Sequence, residues 1–235
     1  MSQVREGGLE LTLLGFVLDP DDPTANDREI IKRLVKGGQR PVDLIHATAR
    51  LGGRWVMICL DDRDGVLFTD PFGLREVFFS TIDGVRCASQ FGHLAKALNL
   101  HPDPTIDSEF SSKPYARTNP EYSWPGSTTP FAEIRHLTPN HFLDLRTGQT
   151  ARFWPTKPLH ARRIDDVVSQ GATLMTSLVR AGHNRFPLAL PITAGYDSRT
   201  ILAAARAFAS ELWCYTVRRE GCRLSTMIFV YLHLC

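Results

Sequence analysis

The chemistry of this chain concentrates in residues 188–209. Leu188 to Ile192 forms a short buried-type strand, Thr193-Ala194-Gly195-Tyr196-Asp197-Ser198 a small-residue turn, and Ile201 to Ala209 a strong helix. A strand that turns into a helix through small residues aims backbone N–H groups and the positive end of the helix dipole at one point. That geometry binds phosphate. Thr193 and Ser198 add hydroxyl donors. Asp197 cannot itself bind phosphate, but it can hold a Mg²⁺ that does. The same residues also fit an ordinary strand-to-helix connection in which Asp197 and Ser198 act as N-caps.

Other reactive side chains lack the spacing that chemistry requires. The cysteines are Cys59, Cys87, Cys214, Cys222 and Cys235, an odd number without close pairs. Neither a disulfide framework nor a zinc knuckle follows. Cys59 lies in the apolar run Trp55 to Leu60 and is expected as a buried core thiol. No two histidines stand one helical turn apart with an acidic partner. His136 and His141 flank a proline turn and fit a structural role. Asp61, Asp62 and Asp64 fall in a hairpin turn; a calcium loop would need an acid at its twelfth position, and none is there. Arg162-Arg163 and Arg218-Arg219 are short solvated basic pairs.

The elements that position these residues divide into two patterns. The first half is a run of strands and turns. A strand is expected over Leu9 to Leu18, a short helix over Asp27 to Lys36 ended by Gly37-Gly38, and a meander over 54–89 with turns at Asp61 to Gly65, Asp70 to Gly73 and Asp83-Gly84. Phe91 to Leu98 is helical, and 101–130 is a long loop or a region of short helices. Phe142 to Leu145 and Ala151 to Trp154 make a last hairpin. Pro155 and Pro158 mark a boundary between a domain over 1–155 and one over 160–235. From Ile164 onward, helix, strand, turn, helix and strand (Leu212 to Val217) announce a parallel α/β sheet. The ~75 residues of this second domain are short for a sheet covered on both faces, and the domain looks cut off.

Composition sets outer bounds. The 235 residues are 43% hydrophobic and 22% charged, ordinary for a globular chain. A net charge of +2 gives no argument for a nucleic-acid or membrane partner. The longest apolar run, Met227 to Leu232, is far shorter than the ~20 residues of a membrane span, and the N-terminus lacks an apolar signal core. A cytoplasmic protein is expected.

The Thr193–Ser198 turn resembles the Ser-Gly-Gly-x-Asp-Ser pyrophosphate loop of asparagine synthetases and other N-type ATP pyrophosphatases. Three further motifs resemble the same family in the same order. Gly53-Arg-Trp, its apolar strand and Asp61-Asp-Arg63 are similar to the Gly-Arg-Phe strand ending in Asp-x-Arg of the glutamine amidotransferase domain. Thr69-Asp-Pro-Phe-Gly-Leu-Arg75 with Val77 to Ser80 is similar to Arg-Asp-Pro-Phe-Gly-x-Arg-Pro-Leu-Tyr-Tyr. Phe131 to His141, followed by Phe153-Trp154, resembles the Ile-x-x-Leu-Pro-Pro-Gly-His stretch and its aromatic pair.

The resemblance implies an α+β N-terminal domain, Ntn-hydrolase-like, sheet-on-sheet with flanking helices. It would be followed by the start of an α/β parallel-sheet ATP-pyrophosphatase domain. It also implies ATP-dependent amide formation through an acyl-adenylate, with ATP and Mg as cofactors, small-molecule carboxylate and amine substrates, and room for a homodimer. Carried over by position, Thr193, Ala194, Gly195, Tyr196, Asp197 and Ser198 would bind the pyrophosphate, Asp197 the metal through the phosphates, and Tyr215 to Val217 would lie near adenine. The chain departs from the family in four places. The glutaminase nucleophile position falls on Leu11, so no catalytic residue is assigned and the first domain is expected to be a non-catalytic scaffold. Ser2 is a conceivable substitute nucleophile, but the ten residues before Leu11 would displace it. Ala194 replaces a glycine and Arg199 follows Ser198. Residues 217–235 carry no family pattern and resemble a shifted frame or a truncated end. The alternative reading is a non-catalytic scaffold or truncated pseudoenzyme with at most residual ATP binding.

Overall fold

The computed structural model describes residues 1–114, 118, 124–193 and 195–216. The chain forms two compact units, residues 1–17, 27–49 and 53–159 in one, and 18–26, 50–52 and 160 onward in the other.

The first unit is α+β and built on two antiparallel sheets. The larger has six strands: β1 (Ser2–Glu6), β2 (Leu9–Leu18), β3 (Gly52–Leu60), β4 (Gly65–Thr69), β8 (His141–Asp144) and β9 (Thr150–Arg152), side by side in that order. The smaller places β5 (Phe78–Ser80) between β6 (Arg86–Ala88) and β7 (Arg135–His136). Side-chain alternation explains how they stack. On β3 and β4 the register pairs Met57 with Phe68 and Cys59 with Val66 on one face, and Ile58 with Leu67 on the other. Val56, Leu67 and Leu143 of the large sheet meet Val77, Phe79 and Leu137, so the two sheets pack face to face. Phe78, the intervening residue of β5, points the opposite way and packs with Leu94, Ala95, Phe131 and Ile134. That places α3 (Phe91–Leu98) outside the small sheet. On the other side, α1 (Asp27–Gly37) lies against β1 and α2 (Pro41–Ala47) against β4. Leu9, Leu11, Leu13, Ile30, Ile31, Leu44 and Ile45 are all buried. The result is four layers, helix, sheet, sheet, helix, which matches the sheet-on-sheet arrangement with flanking helices expected above.

Two glycines set how closely β2 and β3 approach. Gly15 (φ +112°) and Gly53 (φ +109°) face each other's strands. A Cβ on Gly15 would sit 2.1 Å from the Arg54 carbonyl oxygen, and one on Gly53 2.4 Å from that of Phe16. No L side chain fits either conformation without strain.

Two elements add to the sequence expectation, and a third fits its short-helix alternative for 101–130. The chain begins with a strand, β1, joined to β2 by the turn Gly7-Gly8; its Val4 and polar neighbours carry too little apolar signal to announce it. Residues 41–47 form α2, started by Pro41 and by Asp43 accepting from the Arg40 backbone N–H at 3.0 Å. Within 101–130, α4 (Pro104–Ser112) is capped by Asp103, which accepts from Thr105 and Ile106.

In the second unit, α5 (Ile164–Arg185) leads to β10 (Ala189–Pro191), α6 (Tyr196–Ala204), a 3-10 segment (Arg206–Glu211) and β11 (Trp213–Tyr215). β10 and β11 are parallel, with Leu190 opposite Cys214. The single helix expected over 201–209 is therefore shifted: it starts at Tyr196 and tightens after Ala205, where Phe208 departs from helical geometry. Among the described residues no helix is long and apolar enough to cross a membrane.

Candidate functional site

The Thr193–Ser198 turn sits where β10 hands over to α6. The strand end is fixed from both sides. Ile192 N–H donates to the Tyr215 carbonyl at 2.7 Å, and the Thr216 hydroxyl donates to the Ile192 carbonyl at 2.7 Å. Thr216 falls inside the Tyr215-to-Val217 stretch that the resemblance places near adenine, but its bond to the strand end is new. The signal that could have found it is a hydroxyl residue directly after the partner strand, level with the start of the turn.

Within the turn, the hydroxyls bond inward. Ser198 Oγ accepts from Thr193 N–H at 3.1 Å, lies 3.3 Å from the Thr193 carbonyl and 3.2 Å from Thr193 Oγ1. Thr193 Oγ1 accepts from Gly195 N–H at 3.2 Å. Ser198 is buried, 8% exposed, because it closes this ring of bonds. The N-cap reading of Asp197 and Ser198 is corrected by this geometry: Gly195 is the N-cap, in extended conformation, and no side chain caps the helix start. The glycine N-cap offers no side-chain acceptor to the first-turn N–H groups of α6, and a helix start of that kind can take an anion. Asp197 is exposed in the first turn, beside an exposed Tyr196. Arg199 folds back: its Nε donates to the Gly195 carbonyl at 3.2 Å and its guanidinium lies 4.7 Å from the Tyr196 ring centre. Tyr215 ends β11, half exposed, one strand over from the turn. Ala194 and Val217 lie outside the described residues, as does the expectation of an aberrant or truncated segment over 217–235.

In the first unit the residues singled out in the sequence are held in the fold as follows. Leu11 is 0% exposed in the middle of β2, and Ser2 pairs with Leu13 in the neighbouring strand. Asp70 is completely buried, yet its carboxylate accepts from the backbone N–H groups of Trp55, Phe72 and Leu74. It folds the 70–75 turn and ties it to β3. Arg54 Nε donates to the Leu74 carbonyl at 2.9 Å, holding the same turn from outside. His141 Nδ1 sits 3.0 Å from Thr138 Oγ1 and 2.9 Å from the Pro139 carbonyl, and His136 stacks on Phe78. Cys59 is buried as expected; burial, aided by the Asp61 charge, pushes its thiol up to about 12, so it is inert at neutral pH. Among the described residues no group of three metal-ligating side chains comes together.

No protein-family profile matches the sequence, and no curated protein matches it. Solved structures do. A glutamine phosphoribosylpyrophosphate amidotransferase from B. subtilis, complexed with ADP and GMP, is 14% identical with a TM-score of 0.41. A structure titled as the allosteric regulatory enzyme of purine biosynthesis is 14% identical with a TM-score of 0.43. Each match covers 98% of this chain, which spans about half (50%) the length of either solved chain.

Proposed function

We propose that this chain is an asparagine-synthetase-like protein in which an amidotransferase-like sandwich without a nucleophile accompanies a nucleotide-binding turn. The observation that supports it most is the uncapped start of α6 at the end of a parallel strand. The first-turn N–H groups, which the glycine N-cap does not cap, and the positive end of the helix dipole lie there beside the Thr193 and Ser198 hydroxyls. These residues fit a phosphate group. Thr193, Gly195 and Ser198 would hold the phosphates of ATP, and Asp197 would hold Mg²⁺ through them. Bound there, MgATP would supply an activated phosphoryl chain for joining a carboxylate to an amine. What the chain's own residues contribute is placement: Thr216 and the β10–β11 pairing fix the strand end, and Ser198 fixes the turn.

The buried Leu11 supports the absence of glutaminase chemistry. A hydrocarbon side chain has no nucleophile, and this one is closed to solvent. The second reading is a non-catalytic scaffold with at most residual nucleotide binding; the inward bonding of Thr193 and Ser198 favours it, because it withdraws their hydroxyls from a phosphate.

Titration calorimetry with MgATP separates these readings from an ordinary connection. Saturable binding that Asp197→Ala and Ser198→Ala each weaken about tenfold, a loss of ~1.4 kcal/mol, supports the nucleotide turn. Unchanged affinity in Asp197→Ala sinks it. ATP-dependent release of pyrophosphate with a carboxylate and ammonia would favour the enzyme, and binding alone the scaffold. No ammonia should appear from glutamine.

A further inference from the structure

The first unit holds a cavity of about 510 Å³ that nothing above uses. It opens between the end of α2, the 69–72 turn and the Phe153-Trp154 pair, with Trp55 of β3 at its base. We propose that this cavity binds an uncharged, planar aromatic small molecule.

The wall geometry carries the proposal. Trp55 is 1% exposed and meets buried Phe68 edge-on at 5.7 Å, while Phe68 meets Phe153 edge-on at 6.5 Å. Rings locked this way are held in place: Trp55 borders the cavity with little exposed surface of its own, and the fully buried Phe68 braces both Trp55 and Phe153 from the core. At the mouth, Phe72 is 80% and Trp154 53% exposed. Two large aromatic side chains exposed to water beside a largely apolar cavity are what a flat ring would cover. The volume lies within the ~300–1,000 Å³ typical of small-molecule pockets.

Charge defines the ligand class. Among the described residues no Lys, Arg, Asp or Glu lines the cavity, and His46 is the one titratable side chain. A charged ligand would lose hydration there without gaining a counter-ion. Polar groups are few but converge. The half-buried Asn140 amide bonds to none of the described residues, and the Thr48 and Thr69 hydroxyls donate to backbone carbonyls, which leaves their oxygens as acceptors for a ring's edge. The proposal is independent of the ATP reading, which concerns the other unit.

The test titrates the full chain with N-phenyl-1-naphthylamine, an uncharged ring system whose emission rises in apolar surroundings. A single saturable site is expected. Phe72→Ala and Trp154→Ala should each weaken it about tenfold or more, as loss of an aromatic anchor does, and Ala49→Trp should fill the cavity and abolish it. Phe72 and Trp154 are exposed, so their truncation leaves folding intact, which circular dichroism checks. The sulfonated relative 1-anilinonaphthalene-8-sulfonate should bind at least about tenfold more weakly, for want of a cation. Non-saturating binding, affinity unchanged from the native chain in both truncation variants, or preference for the sulfonate overturns the proposal.

Discussion

Asp70 shows how one residue can carry a motif without carrying catalysis. A buried carboxylate costs several kcal/mol unless its lone pairs are satisfied. Here three backbone N–H groups satisfy them, two from the turn running from Asp70 to Arg75 and one from Trp55 in β3. Replacing Asp70 with Ala leaves those N–H groups without their acceptor. We expect Asp70→Ala to lower unfolding free energy by about 2–4 kcal/mol in urea titration, from the usual cost of unsatisfied buried groups. A loss below ~0.5 kcal/mol would refute the role. The same logic separates Ser198 from Asp197. Ser198 is buried by its bonds to Thr193, whereas Asp197 stands exposed where an incoming metal could reach it. Substitution of Ser198 should therefore cost stability as well as affinity, and substitution of Asp197 affinity alone.

Among the elements, turns decide more than strands. The β3–β4 turn is held by Asp61, whose carboxylate accepts from Arg63 N–H at 2.7 Å and Asp64 N–H at 2.6 Å. These bonds, led by that from Asp64, hold the Asp61 carboxyl below the usual carboxylate range. The folded state therefore binds this proton less readily than the unfolded one. The stabilisation is complete above the ordinary pKa of about 4 and fades as pH falls through the lower folded value. We expect the stability gap between the native chain and Asp61→Ala to be constant from pH 7 to about pH 5 and to shrink at lower pH. A gap that widens on acidification would reverse the sign and reject the assignment; thermal melts across pH read it directly. At β2 and β3 the deciding device is the Gly15 and Gly53 pair, whose close approach no periodicity reveals. The β1 strand and α2 were illegible for a related reason. One presents a single buried residue to the core, and the other is too short to show a helical stripe.

At the scale of the whole molecule, the chain passes between its units more than once. Residues 18–26 and 50–52 belong with the C-terminal unit although their chain neighbours build the sandwich. Within that unit Asn184 donates to the Pro23 carbonyl at 3.0 Å, and Arg50 pairs with Asp21 at 2.9 Å. A fragment ending at residue 159 should keep the four-layer core but lose partners for these two segments. Hydrogen exchange is expected to rise in 18–26 and 50–52 while Trp55, Met57 and Phe68 stay protected. Collapse of protection in β3 and β4 would show that the sandwich does not stand by itself.

The sequence by itself determined the elements whose signal is local. Apolar runs bounded by turns placed β2, β3 and β4, a helical stripe placed α1 and α3, and small residues between a strand and a helix placed the turn at 193–198. It also settled the lack of a nucleophile at position 11, because residue type alone decides whether a side chain can attack. Tertiary structure decided what depends on distant partners. It put Cys59 and Leu11 beyond solvent, turned Thr193 and Ser198 toward each other, and gave Asp70 its backbone donors. It also gathered Trp55, Phe72 and Trp154, separated by up to 99 residues, around one cavity. Periodicity encodes which way a side chain faces its own element, but not which other element arrives there. That is set only when the sheets stack.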